Sequence, residues 1–300
     1  MAILCILSIV SNRCLAETDT AIWAKTRLIM GIYSPSITEN ASLSDLEISM
    51  NFWAKDFMTE EARKIGIEIT ESRAALFDNM QDMHAAFQQG ELDMVVGPPL
   101  MLSRFFKSDE LQDGFTALVS ENRPESLLFI ARSDKALHSI EAFKGKHIAL
   151  IDNDELATMF LDSLFLKHVR QPVQGFVGQI DKQQKASRIV LDVYFNKVDG
   201  GVVYRSAFDV MVDLNPDIAN KIDIVDQYPI KSRNFSFFSH NYPYAKHLST
   251  LASGAFQSSP RAKQILEVFK ASEIAACTVS DLDVFEQFYQ RYQVLKTQVK

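Results

Sequence analysis

Short apolar runs alternate with longer stretches of helical periodicity along most of the chain. Leu28-Ile29-Met30-Gly31-Ile32-Tyr33 reads as a buried strand stopped by Ser34-Pro35-Ser36. Ser44-Asp45-Leu46-Glu47 has reciprocal capping-box spacing and opens a helix through about Lys64, closed by Gly66. Ile67–Thr70 alternates as a second strand. Leu76, Met80, Met83, Ala86 and Phe87 then recur at helical spacing before an apolar run at Asp93. The order β-α-β-α-β predicts a parallel sheet with right-handed crossovers.

One pattern occurs twice. The first copy runs Phe87-Gln88-Gln89-Gly90, then Glu91-Leu92-Asp93-Met94-Val95-Val96-Gly97-Pro98-Pro99. The second runs Tyr194-Phe195-Asn196, then Lys197-Val198-Asp199-Gly200-Gly201-Val202-Val203-Tyr204-Arg205-Ser206. Each reads as helix, tight turn, aspartate, short apolar strand and polar turn. Strands so short and apolar suit a parallel sheet covered on both faces. The repetition predicts two similar α/β lobes. Ligands of open α/β sheets sit outside the carboxyl ends of the strands, so Gly97-Pro98-Pro99 and Tyr204-Arg205-Ser206 are expected to line one cleft.

After Phe115–Ser120 the run Glu121-Asn122-Arg123-Pro124-Glu125 breaks the pattern. Ser126–Arg132 and His147–Ile151 read as strands, the latter led by Lys144-Gly145-Lys146. Helices are expected near Glu155–Val169, Asp181–Phe195 and Ala207–Leu214, and a further strand over Asn234–Ser239. The C-terminal third reads as helical, with Ser259-Pro260 as a cap followed by proline at the first helical position. An apolar stripe of Phe285, Phe288, Tyr289, Tyr292 and Leu295 is expected to pack on the first lobe. The fold class is therefore α/β and two-lobed, each lobe a mainly parallel sheet flanked by helices. Residues 25–125 and 229–300 form the first lobe and 126–228 the inserted second. The two crossings, near Ser126–Ser133 and Asp223–Ile230, would form the hinge.

Ala2–Val10 is an apolar run too short to span a bilayer, and Cys14-Leu15-Ala16 supplies small residues. Residues 1–16 thus resemble a secretory signal cut after Ala16, lacking the basic start of such signals. Of the three cysteines only Cys277 would then remain, among apolar neighbours that suit an inert buried thiol. A formal net charge of −7 over 300 residues argues against a general nucleic-acid surface. No phosphate loop, GxGxxG, HExxH or GxSxG motif is present, and the six histidines show no ligand spacing. Neither an enzyme nor a metal or other cofactor is expected.

Three phrases carry a resemblance to a known family: Ala85-Ala86-Phe87-Gln88-Gln89-Gly90-Glu91-Leu92-Asp93-Met94-Val95-Val96-Gly97-Pro98, Ile140-Glu141-Ala142-Phe143-Lys144-Gly145-Lys146-His147-Ile148-Ala149, and Val198-Asp199-Gly200-Gly201-Val202-Val203. In order and spacing the chain resembles the type 2 periplasmic solute-binding proteins of ABC transporters, in the phosphate/phosphonate, sulfonate and transferrin-like group. The resemblance implies an exported, monomeric periplasmic protein that captures a small polar ligand, such as a phosphonate-type oxyanion, by hinge closure. Its partner would be an ABC permease; the alternative is a membrane sensor. Tyr33, Ser34, Pro98, Asp152, Asn153, Tyr204, Arg205 and Tyr228 follow strands or sit at crossings and form the expected ligand site. One departure concerns charge. The turn where phosphonate binders generally carry Ser, Thr and Gly reads Ile151-Asp152-Asn153-Asp154-Glu155. Asp152 and Glu155 can cap the helix there and take the donors an anion would use.

Overall fold

The computed structural model describes residues 22–36, 43–119, 125–258, 266 and 271–299. The readings of residues 1–16 as a signal, of 121–124 as a break and of Ser259-Pro260 as a helix start lie outside the described residues.

Strand β1 (Ala24–Tyr33) is followed by helices α1 (Leu43–Phe52) and α2 (Thr59–Lys64), joined by a widened π-type turn over Trp53–Met58. Then come β2 (Ile67–Phe77), α3 (Met80–Gln88), β3 (Met94–Gly97), α4 (Pro99–Phe105) and β4 (Leu111–Leu118). The chain next builds a second sheet with β5 (Glu125–Arg132), β6 (His147–Ile151), α5 (Glu155–Val169), α6 (Val173–Phe176), β7 (Gln179–Gln183), α7 (Ala186–Tyr194), β8 (Gly200–Tyr204), α8 (Arg205–Leu214), α9 (Asp217–Lys221) and β9 (Ile222–Ile230). It returns to the first sheet with β10 (Phe235–Ser239), α10 (Ala245–Ser258) and β11 (Glu273–Cys277), and ends in α11 (Asp283–Thr297). The sheet orders are β11-β4-β10-β3-β1-β2 and β7-β6-β8-β5-β9. In each, three neighbouring parallel strands, β2-β1-β3 and β7-β6-β8, are extended by antiparallel ones.

The twice-written pattern is one structural device used twice. Helix α3 ends in a turn where Gly90 takes φ +72°, and α7 ends in the same turn with Asn196 at φ +58°. Gly90 N–H donates to Phe87 O and Asn196 N–H to Val193 O, both at 3.0 Å. Only glycine and, less readily, asparagine accept that left-handed geometry. The aspartate then starts the strand. Asp93 N–H donates to Ile29 O (2.8 Å), while its carboxylate accepts from Ile29 N–H (2.9 Å). Asp199 repeats this with His147, at 2.7 and 3.0 Å. Each carboxylate closes the open end of a parallel pair that the short β3 or β8 could not close with its own backbone.

Packing follows the period of the strands. Leu28, Met30 and Ile32 of β1 face Trp53, Phe57 and the α10 side, while Ile29 faces Met83, Phe87 and Leu92 on the other. Glycines let the layers approach: a Cβ on Gly31 would lie 2.5 Å from Leu92 Cδ1, and one on Gly201 2.3 Å from Ile189 Cγ2.

Four expectations change. Asp181 lies in strand β7, so the helix read over Asp181–Phe195 begins only at Ala186. Helix α1 is already formed at Leu43, one residue ahead of the Ser44 read as its cap. Ser126–Ser133 and Asp223–Ile230 are not bare crossings, because β5 and β9 pair along most of their lengths inside the second sheet. The passages between sheets therefore fall at 119–124 and 231–234. The C-terminal stripe also packs beyond the first sheet. Phe285 meets Phe235 at 6.1 Å, but Phe288 lies 4.8 Å from Tyr228 of β9, and Tyr292 OH donates to Asp162 of α5 at 2.9 Å. Helix α11 thus bridges both sheets, and one apolar core runs continuously through it.

The paired aspartates act on stability. Asp93→Ala and Asp199→Ala each strand a backbone N–H, and each should lower the urea-unfolding free energy by about 1–3 kcal/mol. Unchanged urea midpoints at both positions would contradict this role.

Candidate functional site

The parallel strands β1 and β3 end at Tyr33 and Gly97, and β6 and β8 at Ile151 and Tyr204. These carboxyl ends face each other across the two sheets. Arg104 of α4 forms an ion pair with Glu155, the first residue of α5. The Arg104 guanidinium also lies 4.6 Å over the ring of Tyr289 on α11, a cation–π arrangement. Burial, and secondarily the nearby Glu155 carboxylate, push the Tyr33 hydroxyl above its ordinary pKa. Tyr33 comes from the first sheet and Glu155 from a helix of the second.

On the second sheet's side the polar groups satisfy one another. Asp154 caps α5: its Oδ1 accepts from Ala157 N–H at 2.9 Å, and its Oδ2 accepts from Tyr204 OH at 2.7 Å. Tyr204 is buried, with the Arg233 guanidinium 4.1 Å over its ring. Burial first, and then the Asp154 charge, hold its hydroxyl well above the usual tyrosine pKa, so it remains a donor. Helix α8 starts directly after Tyr204 and is met by Glu125 from the start of β5. Glu125 Oε1 accepts from Ser206 N–H (3.2 Å) and Ser126 N–H (2.9 Å), and Oε2 from Ser206 Oγ (2.6 Å). Arg205 donates to Gln227 Oε1 at 2.6 Å.

The structure brings together part of the expected site. Tyr33 and Tyr204 lie in the facing ends, linked through Glu155 and Asp154, and Arg205 lies beside Tyr204. Pro98 takes extended backbone (φ −62°, ψ 134°) and leads into α4 after β3. Asp152 and Asn153 sit at the β6 end, where Asn153 adopts φ +55°. The Asp152 carboxylate accepts from Asn153 N–H and from Gln184 Nε2 (2.9 Å). The capping expected of Asp152 and Glu155 belongs instead to Asp154, because Glu155 is drawn to Arg104. Ser34 is turned inward, donating to Phe77 O at 3.2 Å. Tyr228 packs between Phe160 and Phe288, at 6.1 and 4.8 Å, away from the polar ends, and its buried hydroxyl has no hydrogen-bond partner. Arg104, Glu125, Asp154, Glu155 and Arg233 complete the polar face. Only the acidic turn signalled any of them in the sequence, since the others come from remote segments.

Other chemistry is lacking among the described residues: no group of three His, Cys, Asp or Glu side chains could hold a metal. Cys277 is buried, and burial pushes its thiol up to about 12. A shallow depression of about 240 Å³ lined by Gln174, Gly178 and Lys182 lies at the amino end of β7, opposite the facing ends. No described helix is long and apolar enough to cross a membrane.

The family profile described as "ABC transporter, phosphonate, periplasmic substrate-binding protein" matches residues 56–282, and the chain belongs to that family. Among solved structures it is similar to a Xanthomonas citri protein bound to ATP, with 16% identity and a TM-score of 0.62, covering 91% of this chain and 99% of that one. PhnD1 from Prochlorococcus marinus in complex with methylphosphonate is 12% identical, with a TM-score of 0.61 and coverage of 89% and 98%. A binding-protein component of an ABC phosphonate transporter from Pseudomonas aeruginosa is 14% identical, with a TM-score of 0.60 and coverage of 92% and 89%. No curated protein sequence matches the chain. The fold is that of the type 2 periplasmic binding proteins, and the chain is a solute-binding component of an ABC importer. Members of this family are exported and non-enzymatic.

Three substitution and reactivity outcomes follow from this geometry. Tyr204→Phe removes a hydrogen bond to a carboxylate and should cost about 1.5–3 kcal/mol in urea unfolding. Tyr228→Phe removes a hydroxyl without a partner and should be neutral or stabilising in the same assay; equal losses at both positions would contradict the assignment. Cys277 should stay unreactive toward Ellman's reagent at pH 8 until denaturant is added, because its thiolate is suppressed.

Proposed function

We propose that the chain captures a small polar solute between two lobes, closes on it by a hinge, and presents it to the permease of an ABC importer. The lobes are 25–125 with 229–300, and 126–228, the sheet pairing extending the second to Glu125 and Ile230. The observation that carries this reading is the Arg104–Glu155 ion pair, made between helices of different sheets at the facing strand ends. Contacts of that kind exist only when the lobes are together, so a solute bound across them adds to the closed state alone. Tyr33, Pro98, Asp152, Asn153, Tyr204 and Arg205 are the side chains that line this opening; Ser34 and Tyr228 support it from behind.

The family match supports the importer role, and it extends to a periplasmic location after removal of residues 1–16. An oxyanion of the phosphonate type is the solute class to which that family's description points. The chain acts as a monomeric carrier and catalyses no reaction on its solute.

The test is reconstitution. The mature chain, beginning at Glu17, is added to proteoliposomes carrying the permease and ATPase encoded beside it. ATP hydrolysis should rise several-fold over transporter alone when a periplasmic extract supplies solute. No stimulation there, with capture of a membrane kinase or cyclase instead, would replace the importer role by sensing.

A further inference from the structure

The second sheet presents two helix N-termini, of α5 and α8, at its carboxyl end. Unpaired N–H groups and the helix dipole make such termini receptors for anions. In this chain both are already occupied. Asp154 takes the α5 terminus, and Tyr204 holds its second oxygen. Glu125 takes the α8 terminus from outside the helix, across the sheet from β5. Its carboxylate is only 6% exposed and accepts three hydrogen bonds, two of them from Ser206. A buried carboxylate held by a backbone N–H and a hydroxyl at the start of a helix occupies the volume, the donors and the charge preference that an oxyanion would need.

We infer that Glu125 is a specificity-determining residue that excludes phosphate and phosphonate from this end of the site. This deepens the solute-binding reading and rests on it: the clamp remains, but its second lobe carries its own anion. A tetrahedral dianion could reach the α8 donors only by displacing a carboxylate that is already fully hydrogen-bonded. It would also approach Asp152, which among the described residues is held by neutral amide donors and forms no ion pair. Like charges placed so close in a partly buried setting repel with little screening. The solute class left to the site is neutral or cation-bearing.

The experiment is titration calorimetry of the mature wild type, Glu125→Ala and Glu125→Gln, with methylphosphonate and with inorganic phosphate. Circular dichroism and a cooperative melt establish that each variant is folded. Glu125→Ala frees the Ser206 donors and should bind methylphosphonate at least 10-fold more tightly than wild type. Glu125→Gln keeps the shape while removing the charge, so it should show a smaller gain and covers the case in which the alanine variant does not fold. Wild type binding either oxyanion as tightly as the variants would overturn the inference. So would a folded variant that gains no affinity. Transporter stimulation by the wild type is read separately, so the carrier function can stand when the exclusion fails, and the reverse.

Discussion

Helix α11 grows out of the first sheet and buries side chains against the second, and the relation between the two halves depends on that bridging. Phe285 packs on Phe235, Phe288 on Tyr228, and Tyr292 reaches Asp162, whose other oxygen accepts from Val173 N–H at 2.7 Å. Asp162 is buried, so its two hydrogen bonds cannot be exchanged for water without exposing a charge. The helix therefore acts as a third connection beside the two chain passages. With it in place, Arg104 is brought to Glu155 and the carboxyl ends of the parallel strands are set face to face.

That constraint explains the polar economy of the opening. Charged and hydroxyl groups brought into a closing gap must find partners or remain hydrated. Here the second sheet's groups find them within the chain: Asp154 with Ala157 and Tyr204, Glu125 with Ser206, Arg205 with Gln227. A face whose donors are taken by its own carboxylates stays folded without a solute and discriminates by charge. The same chemistry that stabilises the turns thus narrows what can bind between them.

The sequence was most legible where residues are buried on both sides. Strand His147–Ile151 and helix Glu155–Val169 fall where the apolar pattern puts them, and the repeated Asp93 and Asp199 mark equivalent turns. Edge strands were least legible. β7 (Gln-Ile-Asp-Lys-Gln) is polar and half exposed, β11 is a short partly exposed run, and β2 extends well past the Thr70 at which its apolar alternation weakens. Edge positions carry little burial and so little hydrophobic signal. The site divides in the same way. Tyr33 and Tyr204 were readable because each ends a strand, whereas Glu125, Arg104 and Arg233 act through partners distant in sequence that no local pattern announces. Tyr228 was misplaced for a physical reason: an aromatic beside a crossing can serve ligand or packing, and here α11 claims it.

The most direct test of the account is a distance between the two halves. Glu91 and Lys197 are exposed and occupy equivalent turns in them. Spin labels at Glu91→Cys and Lys197→Cys, with Cys5 and Cys14 replaced by serine and Cys277 protected by burial, report that separation by pulsed electron resonance. The wild type should give one narrow distribution, and the combined Arg104→Ala, Tyr292→Phe protein should add a second, longer one. Identical distributions in the two proteins would contradict the claim that these contacts hold the halves together.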